Sequence, residues 1–85
     1  MAKCEAVSDP EKKSKLVHEN LRRLFRRMRE EKGWSQTRMG AESHLGRKAI
    51  SFIEDGERQP KLDSTIRMSA ALGVPLSELL KEAGW

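Results

Sequence analysis

The chain has 85 residues, 36% hydrophobic and 35% charged, with one cysteine, no tyrosine and a net charge of +4. That length holds one domain with a modest core; no apolar run approaches the roughly 18 residues of a membrane-spanning helix, and the lone Cys4 excludes an internal disulfide. The apolar pattern is too regular for a disordered chain, and Met1-Ala2-Lys3-Cys4-Glu5 lacks the apolar core of a signal peptide, so a cytoplasmic location is expected.

The basic surplus is local. Residues 1–15 carry +1, residues 16–34 carry +3, and residues 35–60 and 61–85 are neutral. Such a balance suits nucleic acid, an anionic membrane or an acidic partner without choosing among them. The arginines of the segment Leu21-Arg22-Arg23-Leu24-Phe25-Arg26-Arg27-Met28-Arg29 are expected mostly on a solvated helix face. Residues 1–15 read as an N-terminal extension or the start of helix one, 16–82 as the folded domain and 83–85 as a C-terminal tail.

Strand signals are missing, since no stretch alternates apolar and polar with period two. Helical signals run through the chain. Val17, Leu21, Leu24, Phe25 and Met28 make one stripe of an amphipathic first helix. It begins either at Asp9-Pro10-Glu11, read as cap and first turn, or near Ser14, and it stops at Gly33. Ser35 is an N-cap for a second helix through Glu42, broken by Ser43-His44-Leu45-Gly46. A third helix runs from Arg47 to Asp55 with Gly56 as its stop. Glu57-Arg58-Gln59-Pro60 is a polar loop. A fourth helix spans Leu62–Leu72 and ends at Gly73; Pro75 opens a fifth that carries Leu76, Leu79 and Leu80. The fold class is all-α, five short helices with tight connections.

The second and third helices form a helix-turn-helix candidate. At 3.6 residues per turn, Gly46, Ile50 and Ile53 share the core side of the third helix. Lys48, Ser51, Phe52 and Asp55 point away, with Arg47 on the flank. Phe52 is then an aromatic aimed at solvent, beside residues suited to base edges and thymine methyls. Arg47 and Lys48 in the first turn oppose the helix dipole, a conflict an anionic partner relieves. Gln36 sits at the start of the second helix, where free amides suit a phosphate oxygen.

Ser35-Gln36-Thr37-Arg38-Met39-Gly40-Ala41-Glu42, then Ile50-Ser51-Phe52-Ile53-Glu54-Asp55-Gly56 with Pro60, and finally Leu72-Gly73-Val74-Pro75 carry a resemblance. The chain resembles the phage repressor/Cro and xenobiotic-response-element (XRE) helix-turn-helix family over about residues 17–80, including single-domain types such as controller proteins. The resemblance implies a sequence-specific DNA-binding transcriptional regulator that occupies a palindromic operator as a homodimer. It implies DNA-binding roles for Gln36, Arg47, Lys48, Ser51, Phe52, Arg58 and Gln59, with Gln36 bracing against both the DNA backbone and the recognition helix and the amides of Gly56–Gln59 meeting phosphate. It also implies an ion pair between Arg29 and Glu54. Glu54 near a helix C-terminus needs a cation on physical grounds as well.

Three features depart from the family pattern. Gly40 stands for Ala close to the recognition helix, His44 stands for Gly in the turn, and Thr65 and Ser69 replace apolar core residues. Leu76, Leu79, Leu80 and the terminal Trp85 are expected to form the dimer surface. An antitoxin, or another protein-interaction module of the same fold with a partner such as a toxin, is the alternative. No catalytic constellation is present, so no enzyme is expected. Cys4, His18 and His44 make no metal set, and no cofactor is expected.

Overall fold

The computed structural model describes residues 9–85. Cys4 and the first eight residues of the expected extension lie outside the described residues. Five helices follow in order: α1 (Pro10–Glu31), α2 (Gln36–Ser43), α3 (Arg47–Glu54), α4 (Leu62–Leu72) and α5 (Leu76–Glu82). Among the described residues there is no strand, and no helix is long and apolar enough to cross a membrane.

The earlier of the two expected starts for α1 is the one observed. The Asp9 carboxylate accepts from the amides of Glu11 (3.1 Å) and Lys12 (3.2 Å), and Pro10 takes the first helical position. Proline has no N–H to leave unsatisfied there. Residues 10–15 are therefore the start of helix one, the second of the two alternatives expected for them. At the other end of the chain, Ala83 is fully buried and its carbonyl accepts from Asn20 Nδ2 at 3.0 Å. The expected tail at 83–85 thus begins inside the core. Ser43, expected to break α2, is its last residue instead, its hydroxyl bonded to the Met39 carbonyl at 2.7 Å. Helix α3 ends one residue earlier than expected, with Asp55 as its cap.

The core takes one fully buried large side chain from each helix: Phe25, Met39, Ile50, Met68 and Leu79. Burying each contributes about 1.5–3 kcal/mol. Val17, Leu21, Leu24, Ile53 and Leu72 surround them, with Met28 only half-buried at the edge. Leu79 is therefore a core residue, and α5 offers the surface only half-buried Leu76 and Leu80. Exposed large apolar side chains are Leu16, Leu62, Ile66 and Trp85.

Thr65 and Ser69 are buried, yet neither is an orphan polar group. Thr65 Oγ1 donates to the Lys61 carbonyl at 3.0 Å, and the Ser69 hydroxyl donates to the Val74 carbonyl. A satisfied hydroxyl removes most of the penalty of burial. Ser69 also ties the end of α4 to the segment that leads into α5.

Candidate nucleic-acid interface

The spacing of α2 and α3 is set by Gly40. A Cβ built there would lie 2.5 Å from the Gly46 carbonyl carbon and 2.7 Å from the Arg47 nitrogen. Both are backbone atoms, so no rotamer relieves the clash. The Gly40 carbonyl also accepts from the amides of Leu45 (3.0 Å) and Gly46 (3.2 Å), closing the turn onto α2. Gly46 itself is exposed. It was expected among the core-facing residues; what it brings to the inside is its backbone, seated on Gly40. His44 occupies the left-handed region at φ 61°, ψ 34°. That conformation is uncommon for a side chain with a Cβ, though His tolerates it better than a branched residue.

Helix α3 presents its first turn to solvent. Arg47 and Lys48 are exposed, and its N-cap Gly46 has no side chain to bond the free amides. Exposed cations and uncapped amides therefore share one helix end, a favourable arrangement for an anion. Ile50 and Ile53 face inward, as the helical period requires, while Lys48, Ser51 and Asp55 follow one outer stripe. Ser51 Oγ donates to Asp55 Oδ2 at 3.4 Å.

Phe52 departs from expectation. It is half-buried rather than solvent-facing, because the Arg58 guanidinium covers its ring, 4.7 Å from the centroid. The loop amides depart as well. The Gly56 amide donates to the Ile53 carbonyl at 3.2 Å; those of Glu57 and Arg58 donate to the Phe52 carbonyl at 3.0 and 3.3 Å. Three of the four amides expected to meet phosphate are thus committed to closing the end of α3. Gln59 is exposed beyond them.

Arg29 and Glu54 meet inside the domain. Arg29 Nε donates to Glu54 Oε2 at 2.7 Å and Nη2 to Oε1 at 3.0 Å, a two-pronged contact with both residues buried. Arg29 Nη1 also donates to the Trp34 carbonyl at 2.7 Å, and Gln36 Nε2 donates to Glu54 Oε1 at 3.1 Å. One buried carboxylate therefore joins the end of α1, the start of α2 and the end of α3. The hydrogen bond to Glu54 raises the Arg29 pKa above its usual value; burial opposes this, and the charges of Glu54 and Glu30 reinforce it. Gln36 is thereby half-buried and held toward α3. The Trp34 carbonyl gave no sequence signal, because every residue carries the same backbone oxygen.

The arginine-rich face of α1 is largely neutralised on the spot. Arg22 and Arg23 lie 3.5 Å from Glu19, Arg26 lies 3.3 Å from Glu30, and Arg27 lies 3.8 Å from Glu31. Arg22 also reaches the Glu54 carbonyl at 3.4 Å, at the C-terminal end of α3. Of the nine arginines, seven have a carboxylate within 4 Å among the described residues; Arg47 and Arg58 do not. Those two flank α3. Among the described residues no three His, Cys, Asp or Glu side chains gather as a metal site.

Comparison with known proteins agrees with this geometry. The family model described as Helix-turn-helix (HTH_3) matches residues 25–79, which runs from the middle of α1 to α5. No curated protein matches the sequence. A turn closed on Gly40, a second helix fixed to a third by Glu54, and a family match across both helices lead to one assignment: the chain belongs to the XRE-type helix-turn-helix family of DNA-binding regulators.

Proposed function

We propose that the chain regulates transcription by binding a palindromic operator as a homodimer, with α3 entering the major groove. The observation that carries this reading is the outer end of α3. Arg47 has no carboxylate partner among the described residues, and with Lys48 it stands exposed at an uncapped helix start. The Glu54 network holds that helix rigidly against α1 and α2. In such motifs the N-terminal residues of the recognition helix contact base edges. Arg47, Lys48 and Ser51 take that role here. Gln36 and Gln59 approach the phosphate backbone, and Gln36 orients α3 through Glu54 as well.

One recognition helix covers only a few base pairs, so two copies reading half-sites about 34–36 Å apart are needed for specificity. Leu76, Leu80 and Trp85 supply the apolar surface for that pairing. Trp85 is 68% exposed, and Leu76 and Leu80 are half-buried in the single chain. Helix α1 from Pro10 and the buried Ala83 extend the folded domain beyond the expected segment 16–82.

The test is a titration of the purified chain against the promoter duplex of its own operon and against random duplex, at several salt concentrations. The operator should be preferred by about a thousand-fold or more, and sedimentation with operator should show two chains. Equal affinity for both duplexes, or a bound monomer, would contradict the reading. A chain that binds no duplex but captures the product of a neighbouring gene would favour an antitoxin or similar interaction module.

A further inference from the structure

We propose that Phe52 is a positioning residue for Arg58, whose guanidinium clasps a backbone phosphate beside the C-terminal end of α3. The inference rests on the DNA-binding reading above and assigns a chemical division of labour within it.

The local geometry fixes the pair. The Phe52 carbonyl accepts from the amides of both Glu57 (3.0 Å) and Arg58 (3.3 Å), which folds the chain back over α3. The Arg58 guanidinium then lies over the Phe52 ring, 4.7 Å from its centroid. A guanidinium over a ring is attracted by the ring's π face, and that attraction uses none of its five N–H donors as a hydrogen bond to an acceptor oxygen. Arg58 is exposed and has no carboxylate within 4 Å among the described residues. Among the described residues, Arg58 therefore has an aromatic ring beside its donor fork and no acid to bind.

Three observations make phosphate the acceptor. The amides of Gly56, Glu57 and Arg58 are already used inside the protein, so the loop backbone is largely spent and the side chain supplies the donors. Arg58 also borders a cleft of about 270 Å³ between α1 and this loop, where it joins Lys15 and Arg22 against the single carboxylate of Glu19. With Arg22 paired to Glu19, Lys15 and Arg58 leave the cleft's lining net positive, which suits a phosphate rather than a base edge. Finally, Arg58 lies beyond the far end of α3 from Arg47. An eight-residue helix is about 12 Å long, so with the N-terminal turn in the groove the other end lies toward the duplex wall.

The experiment measures the slope of log affinity against log salt for a random-sequence duplex of two helical turns. Each phosphate contact contributes about 0.9 to that slope. Arg58→Gln should lower it by about that amount, so that a fourfold rise in salt costs wild type about 3–4-fold more affinity than the variant. Phe52→Leu should lower the slope by at least half as much, although it removes no charge; a purely structural role would leave the slope alone. Phe52→Tyr should restore it. Melting curves establish that each variant is folded, and Phe52→Met replaces the leucine variant if that one unfolds. A Phe52→Leu or Phe52→Met slope equal to wild type overturns the positioning role. An unchanged slope for Arg58→Gln, or a loss confined to one base position of the operator, overturns the phosphate clasp. A wild-type chain with no salt-dependent duplex binding ends the DNA reading itself, and this proposal with it.

Discussion

Removing Arg29 should cost the domain more than removing Glu54, and removing both should cost less than the sum. The Glu54 side chain is 2% exposed, and its two donors among the described residues are Arg29 and Gln36. Arg29→Ala leaves that carboxylate buried with the single amide of Gln36, and it strips the donor from the Trp34 carbonyl. Stranding one member of a buried pair costs about 3–5 kcal/mol, and the lost neutral bond adds about 1 kcal/mol. Glu54→Ala is milder. The Arg29 side chain is 10% exposed, keeps the Trp34 carbonyl, and has Glu30 at 3.9 Å as a second acid. It should cost about 3 kcal/mol, the lower end of that range. A coupling of up to about 3 kcal/mol is expected from the double mutant. Melts followed by circular dichroism on the four proteins measure all of this, since each kcal/mol shifts Tm by about 4–8 °C in a domain of this size. The raised pKa of Arg29 adds a control. A group whose folded pKa lies above its unfolded value contributes fully below the unfolded value and loses that contribution only as pH rises through the folded one. For a guanidinium that window lies at strongly alkaline pH, so deprotonation of Arg29 should not alter the deficits near neutrality. Strictly additive losses, or a larger loss for Glu54→Ala, would refute the account of the network.

Gly40→Ala should destabilise by about 1–3 kcal/mol despite the roughly 1 kcal/mol of helix propensity that alanine gains, because the new Cβ meets backbone at 2.5 Å; a higher melting temperature would show that α3 can retreat. His44→Gly should raise stability by about 1 kcal/mol by removing a left-handed backbone penalty at an exposed site with φ 61°, and an unchanged or lower melt would contradict that. Trp85→Ala and Leu80→Glu should shift the chain toward monomer in sedimentation. Truncation after Lys81 is no test of the same surface, because it also deletes Ala83 from the core. A dimer that survives both substitutions but falls apart with Ile66→Glu would move the interface to the exposed apolar side of α4.

Local rules carried the fold a long way. The stripe from Val17 to Met28, the cap at Ser35 and the stops at Gly33, Gly56 and Gly73 are short-range signals, and the helices follow them. The site was legible where one helix's periodicity decides it: Ile50 and Ile53 inward, Lys48 outward. It was not legible where a distant segment decides. Phe52 is outward on its own helix, and only the return of the chain puts Arg58 over it. Leu79 looked surplus on a seven-residue helix, yet it is fully buried, on a helix that packs against both α1 and α4. Gln36 was expected from the resemblance to brace the recognition helix, and what the sequence left open is the atom it uses, the Glu54 carboxylate eighteen positions on. The occupied amides of Gly56 to Arg58 leave no mark in residue type, because every residue there has the same N–H.

The central claim is that α3 reads sequence through its first turn. It is tested most directly by competing Arg47→Ala and wild type against operator, base-substituted operators and random duplex. Arg47 is exposed and unpaired among the described residues, so its loss should leave the fold intact. A two-pronged arginine contact to guanine contributes about 1–3 kcal/mol of discrimination. The variant should therefore lose about 5–150-fold on operator by that measure, with preference relaxed at one symmetric pair of positions and little change on random duplex beyond one charge. Equal losses on all three kinds of DNA would contradict the account, even if the protein still bound DNA.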